Sequence, residues 1–131
     1  KESALAWGIG SASAKEIDRM GIVPATRLAA SRALEMASIA PNFLLTDFRL
    51  ELPEMAISQT ALVKGDQRSL SIACASILAK TARDAWMIAL EEKHPEYGFS
   101  RHKGYGTFWH RQKIAQLGYI PIHRKTFKIK K

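Results

Sequence analysis

The sequence predicts an α/β fold, and two observations favour that class. Short apolar stretches typical of strands alternate along the 131 residues with stretches whose apolar residues recur at helical spacing. Hydrophobic residues make up 47% of the chain, which is enough for a packed core and argues against disorder. There is no internal repeat and no low-complexity linker. We therefore expect one α/β domain with one core.

The first part of the chain predicts one strand followed by two helices. Ala4–Gly10 is short, apolar and ends in glycine, which is typical of a strand. Ser13 and Glu16 have the spacing of a capping box that opens a short helical turn. Pro24 suits the first turn of the next helix, which the sequence ends at residues 41–42. The apolar stripe of that helix consists of Ala25, Leu28, Ala29, Ala33 and Met36.

Two more strands and the longest helix follow. Phe43–Leu45 is a continuous apolar run, as expected of a central strand covered on both faces, and the strand ends at Asp47. Ser58–Val63 predicts another short strand, which a turn at residues 64–66 closes. A long helix is expected over residues 69–92. Its apolar stripe consists of Leu70, Ala73, Cys74, Ile77, Thr81 and Ile88.

The last part of the chain is less regular. Pro95 starts an irregular segment, and His102–Gly106 is expected to form a loop. Thr107 is placed to cap a last helix that runs through Gln116. Residues 119–131 form a basic tail.

Charge divides the chain into two regions. The net charge is +8, and residues 93–131 carry ten Lys or Arg but only one acid, so residues 1–92 are close to neutral. We interpret residues 1–92 as an α/β core and residues 93–131 as a basic helical and tail region of the same domain. A basic half beside a neutral half favours a surface that binds nucleic acid over a merely solvated basic face.

Several classes of protein are excluded or disfavoured. No apolar run approaches the length that crosses a membrane, and there is no signal-peptide pattern. The first residue is Lys rather than Met, which is consistent with removal of an upstream segment. Cys74 is the single cysteine, so no internal disulfide forms, and we expect a small buried side chain rather than a catalytic thiol. These features are consistent with a reducing cytoplasm.

Two carboxylates are candidate catalytic groups. Asp47 follows an apolar strand, and sites in open α/β sheets gather at the carboxyl ends of strands. The alternative is an ordinary acid that caps a turn. Asp84 lies near the apolar stripe of the long helix, where an unpaired carboxylate is costly unless it binds a cation. Its alternative is an ion pair with Lys80, one turn earlier.

Carboxylate oxygens suit hard cations, so these two acids predict Mg²⁺ or Mn²⁺. A centre with two ions needs at least one more acid, and Asp66 is available but not convincing. The four histidines do not form a zinc-like pattern with the cysteine.

Basic and aromatic groups near these acids suggest contacts with nucleic acid. Lys80 and Arg83 flank Asp84 on the long helix. In the loop at 102–107, glycines allow close approach to phosphate, Lys103 supplies charge and Tyr105 offers a flat face for a sugar or base. The alternative is a glycine-rich turn with a packing tyrosine. Residues 123–125, which include Arg124, form a phosphate clamp or a solvated basic turn.

Several motifs occur in order and together resemble the ribonuclease HII family. They are GDQRS (65–69), SIACASILAK (71–80), Arg83-Asp84, YGF (97–99), HKGYGT (102–107), His110, PIHR (121–124) and Phe127. The match spans almost the whole chain. No single motif is specific, but the ordered set is.

The resemblance implies a ribonuclease H-like mixed sheet with flanking helices and a small helical C-terminal part. It implies an endonuclease that cuts the RNA strand of RNA–DNA hybrids and nicks DNA at embedded ribonucleotides, using Mg²⁺ or Mn²⁺ held by four acids. The third of these acids matches Asp47 and the fourth matches Asp84. The family tyrosine that packs on the sugar at the RNA–DNA junction matches Tyr105. Lys80, Lys103 and Arg124 are then expected to bind phosphate.

Two departures from the family pattern affect these expectations. The Asp-Glu-x-Gly-Arg-Gly motif, which carries the first two acids on the first strand, is absent from the 131 residues. The family usually has Gly directly after the third acid, where this chain has Phe48. We therefore expect a domain that lacks its N-terminal strands and is catalytically impaired by itself. It is expected either to associate with another chain through an exposed sheet edge or to descend from a longer parent that has been trimmed.

Two other functions remain open at this stage. One is a non-catalytic nucleic-acid-binding module on a degenerate nuclease scaffold, which a test of metal-dependent cleavage separates from an enzyme. The other is a basic assembly protein that packs against RNA, for which replacement of Asp47 or Asp84 has no effect.

Overall fold

The structure is a computed structural model that describes residues 4–127 and has a mixed α/β architecture, which confirms the predicted class. No helix in this described part is long and apolar enough to cross a membrane. A 3-10 helix at Pro95–Tyr97 precedes α5. The elements in chain order are α1 (Ala14–Met20), α2 (Ile22–Met36), β1 (Phe43–Asp47), β2 (Ser58–Leu62), α3 (Gly65–Arg68), α4 (Leu70–Glu91), α5 (Phe99–His102) and α6 (Phe108–Leu117).

The sheet has two parallel strands, in which Phe43 pairs with Ser58 and Asp47 pairs with Leu62. The connection between the strands is anchored on β2 by the amide side chain of Gln59. Its Oε1 accepts from the backbone N–H of Leu52 at 2.8 Å, and its Nε2 donates to the carbonyl of the same residue at 3.0 Å. Leu52 is fully buried, so the connection contributes an apolar side chain to the interior.

One face of β1 is covered and the other is open. Leu44 is 8% exposed, whereas Phe43 is 48% and Leu45 is 45% exposed. Alternate side chains of a strand point to opposite faces, so Leu44 marks the packed face. The prediction of a strand covered on both faces is therefore wrong for the described residues. The expected association of this sheet with another chain stays a prediction.

The segment Ala4–Gly10 was expected to be a strand, and this expectation is wrong. It forms no strand pairing in the described part and runs along α2 instead. A Cβ on Gly10 would lie 2.0 Å from the carbonyl oxygen of Ala29, and one on Gly8 would lie 2.1 Å from that of Ala33. These glycines therefore allow a close backbone approach to a helix rather than marking the end of a strand.

The predicted capping box at the start of α1 is confirmed. Ser13 Oγ accepts from the backbone N–H of Glu16 at 3.2 Å, and the backbone N–H of Ser13 donates to the Glu16 carboxylate at 2.8 Å. The same carboxylate accepts a hydrogen bond from the Arg32 guanidinium on α2 at 2.7 Å. The pKa of Glu16 is lowered to about 2, first by that guanidinium and then by the Ser13 amide. One carboxylate thus caps α1 and joins it to α2.

Helix α4 is continuous over 22 residues, and Ser69 caps it by accepting from the backbone N–H of Ile72. Its buried residues are Ile72 near one end and Met87 near the other. The apolar stripe predicted for this helix is wrong, because Leu70 is 81% and Ile77 is 64% exposed. The expectation that Cys74 is buried is wrong for the same reason. The stripe was inferred from helical periodicity, which does not reveal which face meets a neighbour.

The main core lies in the C-terminal half. Met87, Tyr97 and Phe99 are buried together, and the partly buried side chains packed against them are Leu90, Ile114, Ile120 and Ile122. The last helix begins as predicted, since Thr107 Oγ1 accepts from the backbone N–H of His110 at 3.3 Å. Residues 128–131 of the predicted basic tail lie outside the described residues.

Gly10→Ala should destabilise the chain because the added Cβ meets the backbone of α2, which cannot move away without losing its own packing. We expect a loss of about 1–3 kcal/mol in the free energy of unfolding, measured by urea denaturation. Gly106→Ala is the control, since a Cβ there meets nothing within 4 Å. Equal stabilities of the two variants would contradict the packing of residues 4–10 on α2.

Candidate active site

Asp47 is held in place by backbone amides at the end of β1. Its Oδ1 accepts from the backbone N–H of Phe48 at 2.8 Å and from that of Gly65 at 2.7 Å. Oδ2 accepts no hydrogen bond from residues 4–127, and the side chain is exposed. The carboxylate is thus fixed in orientation with one oxygen available to a ligand.

Two residues with positive φ create this arrangement. Lys64 has φ +54° directly before Gly65 and turns the chain from β2 into α3. Phe48 has φ +59°, a conformation that costs an aromatic residue more than glycine. Although the family usually has Gly at this position, Phe48 takes the left-handed backbone conformation that glycine adopts easily. Phe48 is 68% exposed.

Asp84 lies half-buried on α4, and α4 packs against β1, the strand that ends at Asp47. The ion pair with Lys80, which was the alternative to a metal ligand, does not occur among the described residues. Asp84 also accepts no hydrogen bond from residues 4–127, so its carboxylate is not committed to a structural partner there.

The oxygen donors of Asp47 and Asp84 suit a hard divalent cation, so the chemistry of the donor set fits Mg²⁺ or Mn²⁺. Two carboxylates are only part of such a ligand set. Within residues 4–127, no group of three or more His, Cys, Asp or Glu side chains is arranged to hold a metal ion. The predicted Asp66 is exposed on α3 and joins no such group.

The structure brings the glycine-rich loop to α4. A Cβ on Gly104 would lie 3.3 Å from an Nη of Arg83 and 2.7 Å from the terminal methyl of Met87. Gly104 has φ +78°, and Lys103 beside it has φ +50°. Lys103 Nζ donates to the carbonyl of Ser100, so this ammonium is partly used within the protein.

The remaining predicted contact residues lie on the surface. Tyr105 is 61% exposed, and Lys80 is also exposed. Arg124 is half-buried, and its guanidinium lies 4.2 Å from the centroid of the Phe127 ring. These basic and aromatic side chains are therefore mainly exposed, and Arg83 lies close to Gly104 of the loop.

A contact between α1 and the C-terminal tail was not evident from the sequence. The carboxylate of Asp18 on α1 accepts from the backbone N–H groups of Lys125 and Thr126 at 2.9 and 3.0 Å, and from the Thr126 hydroxyl at 2.7 Å. The pKa of Asp18 is lowered, first by the Lys125 amide. This contact fixes the segment that carries Arg124. No local pattern indicated it, because the partners are more than 100 residues apart.

Three histidines form a buried cluster: His102, His110 and His123. The sequence indicated only that the histidines do not form a zinc site. The Nε2 atoms of His110 and His123 lie 3.0 Å apart, and the His102 ring stacks on the His110 ring with centroids 4.2 Å apart. The cluster joins the end of α5, helix α6 and the tail.

Backbone partners determine where the protons of this cluster lie. His110 Nδ1 faces the Tyr105 carbonyl at 2.9 Å and must donate, so its Nε2 accepts. His123 Nδ1 accepts from the Ile120 amide at 3.0 Å, so its Nε2 donates to His110. Both rings are therefore neutral. Burial lowers the pKa of His110, and burial together with His110 lowers the pKa of His123 to about 4.

These features define an α/β protein with an oriented carboxylate at a strand end and a basic loop that packs on α4 and carries an exposed tyrosine. A sequence model of the family described as ribonuclease HII matches residues 2–130. The chain belongs to the ribonuclease HII family.

Individual relatives agree with this assignment. A ribonuclease HII of Myxococcus xanthus is 49% identical over 127 residues, which are 97% of this chain and 43% of the relative. A ribonuclease HII of Dehalococcoides mccartyi is 48% identical over 124 residues, 95% of this chain and 58% of the relative. One of Chromobacterium violaceum is 47% identical over 127 residues, 97% of this chain and 64% of the relative. The chain thus spans about half the length of the relatives it matches.

Acid should unfold the histidine cluster. The pKa of His123 is about 4 in the folded chain against an ordinary 6.5, so the unfolded chain binds the extra proton between these values. Stability is therefore fully present above pH 6.5 and falls as the pH drops toward 4, by on the order of 2 kcal/mol. Urea denaturation between pH 7.5 and 4.5 measures this slope.

His123→Gln should be less stable at pH 7.5 and should lose much of the slope, because the buried titrating group is gone. His94→Gln removes a histidine outside the cluster and should retain the slope. A slope unchanged in His123→Gln would show that other groups cause the acid sensitivity.

Proposed function

We propose that this chain supplies part of the catalytic centre and the substrate-binding surface of a ribonuclease HII, an endonuclease that cuts RNA paired with DNA. The observation that carries the proposal is the family match over residues 2–130. It is supported by the oriented Asp47 carboxylate and by the uncommitted Asp84 on the helix that packs against β1. The proposed substrates are RNA–DNA hybrids and DNA with embedded ribonucleotides.

Asp47 and Asp84 are the proposed metal ligands, and Mg²⁺ or Mn²⁺ is the proposed ion. When bound, such ions activate the attacking water and stabilise the leaving oxygen of a phosphodiester. The chain's own contribution begins with the backbone N–H groups of Phe48 and Gly65. They hold Oδ1 of Asp47 and leave Oδ2 without a hydrogen bond from residues 4–127, so Oδ2 is the oxygen that would hold an ion. This pre-set orientation avoids ordering the side chain when the ion binds.

The proposed substrate surface consists of the predicted basic and aromatic residues: Lys80, Arg83, Lys103, Tyr105 and Arg124. Tyr105 is proposed to pack on the sugar at the junction, and its exposed ring is free to do so. Its backbone carbonyl is held by His110, so the histidine cluster fixes the loop that presents the ring. The basic region 93–131 is proposed to supply long-range attraction for the polyanion.

A chimera tests the catalytic assignment. The matched region of the Chromobacterium violaceum relative is replaced by this chain, which provides a protein of full family length. We expect nicking of a duplex with one embedded ribonucleotide in Mn²⁺ and none in EDTA. Asp47→Asn and Asp84→Asn should each reduce the rate at least about 100-fold, because the ion loses a charged ligand.

Asp66→Asn is the matched control, since Asp66 is an exposed acid on α3 and should leave the rate unchanged. Full nicking by Asp47→Asn or Asp84→Asn would refute the ligand assignment. A folded chimera that binds the duplex but never cuts it would instead favour the non-catalytic binding module.

Lys80→Ala should weaken binding of an RNA–DNA hybrid to the 131-residue chain. If Lys80 contacts a phosphate, its removal lowers the slope of log affinity against log salt concentration by about 0.9. Fluorescence anisotropy between about 50 and 200 mM salt measures the slope. Lys15→Ala removes an exposed lysine on α1 and should not change it. Equal slopes for both variants would place Lys80 outside the interface.

A further inference from the structure

A cleft of about 690 Å³ lies between the C-terminal end of α4, the 3-10 helix and α6. This volume falls within the range of about 300–1,000 Å³ that is usual for small-molecule sites. The cleft contains neither Asp47 nor Asp84. The lining residues that matter for recognition are Glu91, Glu96, Arg101, Trp109 and Lys113.

Each carboxylate of the cleft has a polar neighbour, whereas the side chains of its two cations have no hydrogen-bond or ion-pair partner within residues 4–127. Glu91 accepts from the backbone N–H of Ser100 at 2.7 Å, and Glu96 lies 3.7 Å from His94. The side chains of Arg101 and Lys113 form no ion pair or hydrogen bond with residues 4–127. The two cations of the cleft are therefore not paired with its two carboxylates and remain available to an anionic ligand.

Trp109 gives the cleft an aromatic wall. Its side chain is 61% exposed although indole is largely apolar. Trp109 and Lys113 are four residues apart on α6, so they lie on the same face of the helix, one turn from each other. An exposed indole beside unpaired cations is the combination that binds unpaired bases and their phosphates, because every base has a face that can stack.

We propose that this cleft binds one unpaired nucleotide of a single-stranded nucleic acid, with the base stacked on Trp109 and the phosphate attracted by Arg101 and Lys113. The proposal goes beyond the proposed endonuclease function, since it requires neither a metal ion nor cleavage. In a bound substrate, such a site would hold a single-stranded segment beside the duplex.

Binding of a labelled eight-residue thymidine oligonucleotide to the 131-residue chain in EDTA tests the proposal. Trp109→Ala should lower the affinity at least about fivefold, which is the lower end of what a stacked base contributes. Trp109→Phe should retain most of the affinity. Trp86→Ala removes another exposed tryptophan, on α4 and outside the cleft, and should change the affinity less than twofold.

The phosphate contacts have their own readout. Arg101→Ala and Lys113→Ala should each lower the salt slope of single-strand binding by about 0.7, and Lys15→Ala should not. An oligonucleotide of abasic residues should bind the unmodified chain as weakly as thymidine binds Trp109→Ala. Circular dichroism of each variant verifies that the fold is kept.

Three results would overturn the proposal: an effect of Trp109→Ala below twofold, an equal effect of Trp86→Ala, or abasic strands that bind as tightly as thymidine strands. An equal loss of affinity for a blunt duplex would also overturn it, because duplex bases are not free to stack. Because the binding is measured in EDTA, the proposed metal site takes no part in it, so failure here is distinguishable from failure of the endonuclease proposal.

Discussion

The two buried contacts of α4 are the constraint on which the rest of the structure depends. A 22-residue helix is about 33 Å long, and this one buries Ile72 towards α3 and Met87 in the C-terminal core. The helix therefore links the strand that ends at Asp47 to the basic half of the chain. Its central part remains exposed on one side and carries Lys80, Arg83 and Asp84 between the two anchored ends. Asp84 is thus placed by the packing of Met87, which lies one turn further along the helix.

Neutral histidines are the second feature that shapes the C-terminal half. Burying an imidazole is tolerable when both nitrogens have partners, and the backbone carbonyl of Tyr105 and the amide of Ile120 complete that requirement here. The directions of these hydrogen bonds require His110 and His123 to be neutral, because an extra proton on either ring would replace an acceptor by a donor. Because His110 holds the loop and His123 holds the tail, a single pair of rings determines where two groups of proposed substrate contacts lie.

The contact of Asp18 with the tail has a comparable role at the other end of the molecule. Three hydrogen bonds from Lys125 and Thr126 draw the basic tail onto α1. Arg124 is then covered on one side by Phe127 and loses conformational freedom before any nucleic acid binds. A guanidinium ordered in advance loses less entropy on binding a phosphate.

The sequence by itself determined what depends on near neighbours. Capping residues Ser13, Ser69 and Thr107 begin their helices because the hydrogen bonds involved span only three residues. The strands β1 and β2 and the ordered family motifs were also evident from the sequence, and they sufficed to single out Asp47 and Asp84. Tertiary structure decided everything that requires a partner. Ala4–Gly10 lies against α2 and is not a strand. The predicted apolar stripe of α4 is exposed. Three histidines from separate motifs form one cluster. Periodicity shows that a face is apolar, but only packing decides whether that face is buried.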